Sequence, residues 1–376
     1  MSCRFFFALT LVLGACDGAD RLTAPPTPTP VTVQRFGDPD AIVSPGGSIQ
    51  AAVNAAAPGA VIQIRSGTYR EAVTVAKPGI KLVGRGLVVI ENPGAAEDGV
   101  SVTDAGDGFA LVNVTVRGFD ENGVLLVGVD GFLLSNVRAE DNGEYGLFPV
   151  LSSHGAIENC RASGHSDAGI YVGQSDHVTI RHSVAVGNVN GIEIENSSHV
   201  KVEDNESFDN VVGILVVLLP GLDVKTSADI RITGNRVHGN NHENFAHPGE
   251  IEAFVPTGSG ILVVGTDRTT VSDNVVTGND FTGIAVGSTL LLGVLAGLPP
   301  EAFADIEPNP DGARIKDNVV TGNGAASPIP FLPGVDLLWD GSGTSNCWRG
   351  NTYATSYPPT LPACRTGHGA EDEENR

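Results

Sequence analysis

A glycine followed by an apolar residue recurs along this 376-residue chain at a nearly constant interval. The glycines are Gly99, Gly123, Gly146, Gly169, Gly191, Gly213, Gly260 and Gly283. Successive intervals are 24, 23, 23, 22, 22, 47 and 23 residues, so the long interval holds one repeat with an insertion. Each repeat carries short alternating apolar stretches, which are typical of β-strands, and is too short for a helix plus two strands. Such units must stack on one another to bury their apolar rows.

The repeat therefore predicts an all-β fold, a single-stranded right-handed parallel β-helix with a short N-terminal capping helix and loop insertions. With strands about 4.8 Å apart, roughly ten coils would form a solenoid near 50 Å long. The high glycine content, 48 residues, is explained in large part by glycines that separate the coils. A hydrophobic fraction of 41% excludes wholesale disorder.

Two further positions are fixed relative to the repeated glycine, and asparagine is frequent at both. Fourteen residues after the glycine stand Asn113, Val137, Cys160, Ser183, Asn205 and Asn274, and nineteen after stand Asn142, His165, Asn188, Asn210 and Asn279. Enlarged repeats keep the pairs Asn235 with Asn240 and Asn318 with Asn323. Asparagine tolerates left-handed turns, and stacked amides form ladders, so we expect structural ladders rather than catalytic residues. Cys160 is predicted to be a buried, inert thiol.

Segments of different composition flank the repeats. We assign 1–15 as a signal peptide, 16–40 as a Pro/Thr-rich tether, 41–98 as the N-terminal cap and first coils, 99–325 as the β-helix repeats, and 326–376 as a C-terminal segment with an acidic tail. Cys347 and Cys364 lie 17 residues apart in this last segment, which has little core of its own. A disulfide between them would stabilise it in an oxidising compartment.

The beginning of the chain favours export. After Arg4, the apolar run from Phe5 to Leu13 is too short to cross a bilayer and ends in small residues before Cys16. Leu13-Gly14-Ala15-Cys16 resembles the cleavage box of bacterial lipoproteins, which implies a lipid on Cys16 and attachment to the bacterial cell envelope through that anchor only. The alternative is an ordinary cleaved signal peptide in which Cys16 has no role.

The repeats resemble the large parallel β-helix, pectin-lyase-like superfamily over residues 45–325. Ser48 to Val53 and Gly67 to Val75 resemble the N-terminal cap of pectin methylesterases, which opens many relatives without esterase activity. The lipoprotein signal, the repeats and the ending from Cys347 to Cys364 together resemble a bacterial family of exported β-helix proteins. That resemblance implies a co-exported partner protein and brings no settled activity.

Charge limits the partners of this chain. It has 44 acidic against 22 basic residues, a formal net charge of −22, which argues against nucleic acid as a partner. An acidic groove would also repel a polyuronate. The catalytic motifs of alginate epimerases and pectin methylesterases are absent, and Ala246 to Glu250 does not match the former. We expect a monomer.

The outward row beside the repeated glycine is mostly apolar, which is unusual for an uncovered surface. Two residues after each glycine stand Leu125, Phe148, Tyr171, Glu193, Leu215, Leu262 and Ala285. Insertions at 216–228 and 288–312 leave after equivalent strands and are expected to pack on each other and on this row. The alternative is that row and insertions bind a partner protein or lipid. An exported, lipid-anchored β-helix protein that binds a partner protein or a polysaccharide is the leading functional hypothesis.

The rival hypothesis is a carbohydrate-active enzyme: a polysaccharide lyase, an epimerase or a hydrolase. Polar residues interrupt the apolar row at Tyr171, Glu193 and Glu195. The candidate catalytic residues are Glu193, Tyr171, His165 and Asp167, and the candidate ligand-binding residues are His242, Glu243, His247, Glu144 and Tyr145. The insertion from Asn241 to Ser259, which also carries Glu250 and Glu252, would lie across from them. Carboxylates beside histidine or tyrosine are suited to moving protons at a sugar ring.

No cofactor or metal site is predicted. His177 and His199 both follow a repeated glycine by eight residues, so they would stack one coil apart and could share a soft metal ion. Histidines that only stack at a turn are the favoured interpretation. The acidic loops could bind Ca²⁺ weakly, but they contain no calcium-loop motif.

Overall fold

Each coil of the chain contributes short strands that pair in parallel with the equivalent strands of the coils before and after it. The computed structural model describes residues 36–365, which form a parallel β-helix with three faces. Face 1 is built mainly from six-residue strands, and faces 2 and 3 mainly from three-residue strands. The β-helix predicted from the glycine repeat is confirmed.

The strands of the three faces follow one another in every regular coil. Face 1 contains Val73–Val75, Asp98–Val102, Asn122–Val127, Tyr145–Val150, Ala168–Gly173, Asn190–Glu195, Val212–Val217, Ser259–Val264, Thr282–Gly287, Val335–Trp339 and Ser356–Tyr357. Face 2 contains Ala41–Val43, Ala110–Val112, Leu133–Ser135, Ala156–Glu158, Thr179–Arg181, Lys201–Glu203, Arg231–Thr233, Thr270–Ser272, Arg314–Lys316 and Cys347–Arg349. Face 3 contains Thr115–Arg117, Arg138–Glu140, Arg161–Ser163, Val184–Val186, Glu206–Phe208, Arg236–His238, Val275–Thr277 and Val319–Thr321. Two long strands, Val61–Arg70 and Lys81–Glu91, run through faces 2 and 3.

Apolar columns fill the inside of the coils. One column on face 1 consists of isoleucines in register, each at most 1% exposed: Ile170, Ile192, Ile214, Ile261 and Ile284. Burying a side chain of this size contributes about 2 kcal/mol. In a single coil the isoleucine side chain would be exposed to water above and below the coil. The core therefore forms only when coils stack on one another.

Asparagine amides form two ladders inside the helix. In the first, the Nδ2 groups of Asn188, Asn210, Asn240 and Asn279 each donate to the Oδ1 of the asparagine in the next coil at 2.9–3.0 Å, and the last acceptor is Asn323. The same Oδ1 atoms accept backbone N–H groups, as Asn210 Oδ1 does from Asn188 at 2.9 Å. The second ladder runs through Asn205, Asn235, Asn274, Asn318 and Asn351. The structural role predicted for these asparagines is confirmed.

The turn geometry departs from the prediction in one respect. The left-handed residue of the second ladder's turn is the one before the ladder asparagine, as at Asp204 and Asp273. Asn113 belongs to that preceding position, with a φ of 59°, and its Oδ1 accepts from Asn136 Nδ2 at 2.7 Å. The ladder amide must point inward from an ordinary backbone conformation, so the positive φ falls on its neighbour. Cys160 occupies a ladder position, and burial raises the pKa of its thiol to about 12.

A short helix, Ile49–Ala55, closes the N-terminal end of the core and buries Ile49 and Val53. Ser48 Oγ accepts the N–H of Ala51 at 3.0 Å, and the Glu71 carboxylate accepts the N–H of Ile49 at 2.7 Å. These acceptors satisfy donors that a helix start leaves without partners. The capping helix predicted from the sequence is therefore present.

The C-terminal segment continues the helix beyond residue 325. Val335–Trp339 and Cys347–Arg349 pair with the preceding coils, and Cys347 and Cys364 form a disulfide. No helix among residues 36–365 is long and apolar enough to cross a membrane. The predicted signal peptide, Cys16, most of the predicted tether and the acidic tail lie outside the described residues.

The ladder gives a stability prediction. Asn210→Ala should lower the free energy of unfolding by about 2–4 kcal/mol, because it leaves the backbone N–H and the Nδ2 of Asn188 and the carbonyl of Ala185 without these partners. Denaturant unfolding followed by circular dichroism measures the loss. Asn54→Ala, on the exposed side of the capping helix, is the matched control and should change stability by less than about 0.5 kcal/mol. Equal losses in both variants would contradict a special role for the ladder.

Candidate functional site

Three insertions cover the apolar part of face 1. Leu215, Val217 and Leu262 of face 1 form one buried apolar cluster with Val255 and Leu292 of the insertions. Thr289 Oγ1 donates to the Leu218 carbonyl at 2.9 Å, which joins two of the insertions directly. The expectation that they pack on each other and on the row is confirmed. The uncovered apolar surface that motivated the partner-binding hypothesis is therefore filled by the chain itself.

The insertion at 288–312 contains a helix, Thr289–Ala296, which lies over face 1. An apolar cavity of about 60 Å³ remains between Leu262 and Ala285 of face 1 and Leu292 and Leu295 of that helix. A cavity of this size holds no sugar ring, and its apolar lining offers no catalytic group.

Beyond the insertions, towards the N-terminus, face 1 carries three aromatic rings that we call the aromatic floor: Tyr145, Phe148 and Tyr171. The rings of Tyr145 and Phe148 stack with centroids 4.1 Å apart, and Tyr171 meets Phe148 edge-on at 4.7 Å. Tyr145 and Phe148 are half-buried, so part of each ring faces solvent. Half-exposed aromatic rings offer an apolar surface on which a sugar ring can lie.

Four carboxylates, which we call the acid cluster, lie beside the aromatic floor: Asp167, Glu193, Glu195 and Glu252. Their exposed fractions are 6%, 1%, 7% and 8%, respectively. Glu193 follows Tyr171 in register on the next coil, and Glu195 stands two residues further along the same strand. Asp167 directly precedes the strand of Tyr171. Glu252 comes from the short helical turn Ile251–Phe254 in the insertion at 241–258.

Burial and mutual repulsion hold these carboxyl groups towards their neutral forms. Burial is the main cause that raises the pKa of each of the four. For Asp167 the next cause is repulsion from Glu252, and for Glu193 it is repulsion from Asp167. Burial raises the pKa of Glu195 to about 7, although the Tyr171 hydroxyl opposes this by donating to its Oε1 at 2.9 Å. Every charged group that shifts the pKa values of these four residues is itself a carboxylate.

Two oxygens at this site lack hydrogen-bond partners in the structure. Asn190 Nδ2 donates to Glu193 Oε2 at 2.9 Å, which leaves Asn190 Oδ1 buried and unpartnered. Asp167 Oδ1 is likewise buried and unpartnered. Unsatisfied buried oxygens are costly and mark places where a substrate or water can donate a hydrogen bond.

Most of the candidate catalytic residues meet at this site, but one does not. Asp167 and Tyr171 lie beside Glu144 and Tyr145 of the preceding coil, and Glu193 lies beside Tyr171 on the following coil. The prediction that His165 lies in the groove is wrong. Its ring is fully buried inside the β-helix, with Nδ1 2.7 Å from Asn188 Oδ1. It occupies a position of the amide ladder, which points inward, so it cannot reach a ligand on face 1.

The candidate ligand-binding residues of the insertion at 241–258 differ in exposure from Glu252 of the same insertion. His242, Glu243 and His247 are exposed, whereas Glu252 of the same insertion is turned into the acid cluster. Asn190 was not among the candidates, although it stands directly before a repeated glycine. The repeat aligns Asn190 with Ala168 and Val212 on face 1, and this alignment is the one feature of the sequence that could have identified it as a site residue.

The acid cluster does not gather its oxygens as a metal site would. Among residues 36–365, only Asp176, His177 and His199 bring three ligand atoms within 4.8 Å of one another. These three residues lie in turns that follow face 1 strands. The chemistry available at the acid cluster itself is therefore proton transfer by carboxyl groups.

Comparisons with known proteins agree with this architecture. Residues 79–219 match the family model described as right handed beta helix region. The chain is similar to the A-module of the Azotobacter vinelandii mannuronan C-5 epimerase AlgE4, with a TM-score of 0.58, 16% identity and coverage of 85% of this chain and 94% of that one. The A-module of AlgE6 from the same organism is similar with a TM-score of 0.56 and 15% identity, over 85% of this chain and 91% of that one.

The Dettilon tailspike protein is similar as well, with a TM-score of 0.55 and 13% identity over 85% of this chain and 60% of that one. No curated protein sequence matches the chain. Identities this low show a shared fold and nothing about the reaction. From its glycine repeat, its three parallel faces and these similarities, the chain is a right-handed parallel β-helix protein.

Proposed function

We propose that this protein is a carbohydrate-active enzyme that cleaves a polysaccharide by acid–base catalysis at the acid cluster. The observation that carries the proposal is the set of buried carboxyl groups on an outer face, beside half-exposed aromatic rings. Apolar residues fill the equivalent positions of the following coils, Leu215 and Leu262. Four buried carboxyl groups without a cation are costly, so their presence favours a functional role.

The environments of these groups suggest how the two roles of acid and base are divided. Burial and repulsion from Glu252 raise the pKa of Asp167 well above its usual range, which holds this carboxyl group towards the protonated form that a general acid needs. Glu195 has a pKa of about 7 and is held by Tyr171, so near neutral pH a part of it is ionised and can activate water. Separated carboxyl pKa values are what hydrolysis of a glycosidic bond requires.

Charge favours a neutral polysaccharide, or one with amino groups, over a polyuronate. Lyases and epimerases of uronates need cations to neutralise the substrate carboxylate. At this site the neighbouring charges are carboxylates, and acidic residues also surround Glu121, where repulsion from Glu144 and Glu97 adds to burial in raising the pKa. Among the three reactions expected of an enzyme, hydrolysis therefore fits best.

The location of this activity is part of the same proposal. The signal-like beginning and Cys16 support export to the bacterial envelope with a lipid anchor. The disulfide between Cys347 and Cys364 fits an oxidising compartment. A co-exported partner would then contact some surface other than the apolar row, which the insertions cover.

A substrate panel tests the reaction. The full chain should release reducing ends from neutral or amino-sugar polysaccharides such as xylan, β-glucan, galactan or chitosan, and leave alginate and polygalacturonate intact. Asp167→Asn and Glu195→Gln should each lower kcat by about 10²-fold or more, since each removes one proton-transfer group. Glu301→Gln, an exposed carboxyl in the 288–312 insertion, is the control and should keep full activity.

Three outcomes would contradict the proposal or a part of it. Binding of a polysaccharide without turnover by the wild type would support a glycan-binding protein instead. Turnover that survives both substitutions would show that the acid cluster is not the catalytic site. Turnover of polyuronates alone would overturn the charge argument while leaving an enzyme.

The raised pKa of Glu195 gives a second prediction, for stability. Between about pH 4.5 and pH 7 the unfolded chain loses this proton while the folded protein keeps it, so stability falls as the pH rises through this window. Glu195→Gln removes the effect and should be more stable than wild type at pH 8 by on the order of 3 kcal/mol, with little difference below pH 4.

Denaturant unfolding at a series of pH values measures this difference. Glu301→Gln should follow the wild type across the whole range, because its side chain is exposed. A gap between wild type and Glu195→Gln that stays constant with pH would show that the substitution acts through packing and not through titration.

A further inference from the structure

Three histidines form a column at the turn that leads from face 1 to face 2. His154, His177 and His199 stand in successive coils, with ring centroids 5.4 Å and 4.5 Å apart and planes tilted by 26° and 22°. Each adopts a positive φ, between 52° and 55°, so the same turn geometry presents each ring on the same edge. The stacking of His177 on His199, predicted from the repeat, is confirmed.

One carboxylate holds two of these rings. Asp176 Oδ2 lies 2.7 Å from His177 Nδ1, and Asp176 Oδ1 lies 2.7 Å from His199 Nδ1. His154 uses a different carboxylate, Asp130, also at 2.7 Å. One ligand atom from each of Asp176, His177 and His199 therefore lies within 4.8 Å of the other two.

We propose that Asp176, His177 and His199 bind a divalent late transition-metal ion such as Zn²⁺ or Cu²⁺. Two imidazole nitrogens and one carboxylate oxygen are a donor set that these ions prefer, whereas Mg²⁺ and Ca²⁺ prefer oxygen alone. An ion between the rings and the carboxylate takes the place of the two shared protons, which move to the outer Nε2 atoms. Water completes the coordination, because both rings are half in solvent.

A further carboxylate lies beside the site, and an arginine balances its charge. Asp229 follows His199 at the next coil, and its Oδ2 lies 4.0 Å from His199 Nε2. Arg268, one coil further, pairs with Asp229 through two hydrogen bonds of 2.9 and 2.8 Å, which keeps that carboxylate in place and ionised. The formal charge of the whole chain, −22, adds a long-range attraction for cations. The site is independent of the acid cluster on face 1.

Metal titration of the full, untagged chain by calorimetry tests this site, with Zn²⁺ alone as the probe. One equivalent should bind, and His177→Asn and His199→Asn should each weaken binding at least ~10-fold. Asparagine tolerates the positive φ at both positions, so the turn is expected to keep its shape. His182→Asn is the matched control: this exposed histidine has a φ of 53° and lies in the next turn of the same coil as His177.

A second measurement separates loss of ligands from loss of structure. Thermal unfolding without metal should be the same in the variants and the wild type, and Cu²⁺ bound to the wild type should show coupling to two nitrogens by electron paramagnetic resonance. Absence of Zn²⁺ binding by the wild type at millimolar concentration would overturn the proposal. Unchanged affinity in a variant that lacks both His177 and His199, or an equal loss in His182→Asn, would overturn it as well.

Discussion

Every coil of this protein depends on its neighbours to satisfy buried amides. Asn210 Oδ1 accepts both the backbone and the side-chain N–H of Asn188 in the coil before it, and its own Nδ2 donates to the coil after it. A shift of one residue would break these bonds and would turn the isoleucine column outward. Regular coils are therefore confined to 22–24 residues. The three insertions over face 1 lie at turns between strands, where extra residues do not disturb the ladders.

This internal constraint leaves the outer side chains of face 1 free to vary. Tyr171, Glu193 and Leu215 occupy the same outward position in successive coils, although an aromatic, an acidic and an aliphatic side chain have little in common. The coils stay in register because the inward residues and the ladders fix them. A group that is costly to bury, such as Glu193, can therefore be kept where chemistry needs it, and the core and ladders supply the stability.

The same separation explains what the sequence could and could not predict. Inward positions repeat, so the glycines and asparagines predicted the coils, and register placed Tyr171 beside Glu193. His165 was assigned to the groove although it stands at a ladder position, where the inward direction decides its environment. The insertions do not repeat, so periodicity could not show that Glu252 is buried in the acid cluster while His242 and His247 stay exposed. Asn190 mattered only through a contact with Glu193.

The insertion at 241–258 connects packing with chemistry. Val255 and Ile251 pack with the apolar row, and Glu252 between them enters the acid cluster. Burial is the largest cause of the raised pKa of Asp167, Glu193 and Glu195, and Glu252 adds repulsion to each. This insertion therefore adds negative charge beside carboxyl groups that are already costly to ionise. The contact that completes the apolar packing of face 1 is therefore also the contact that holds its carboxyl groups towards their neutral forms.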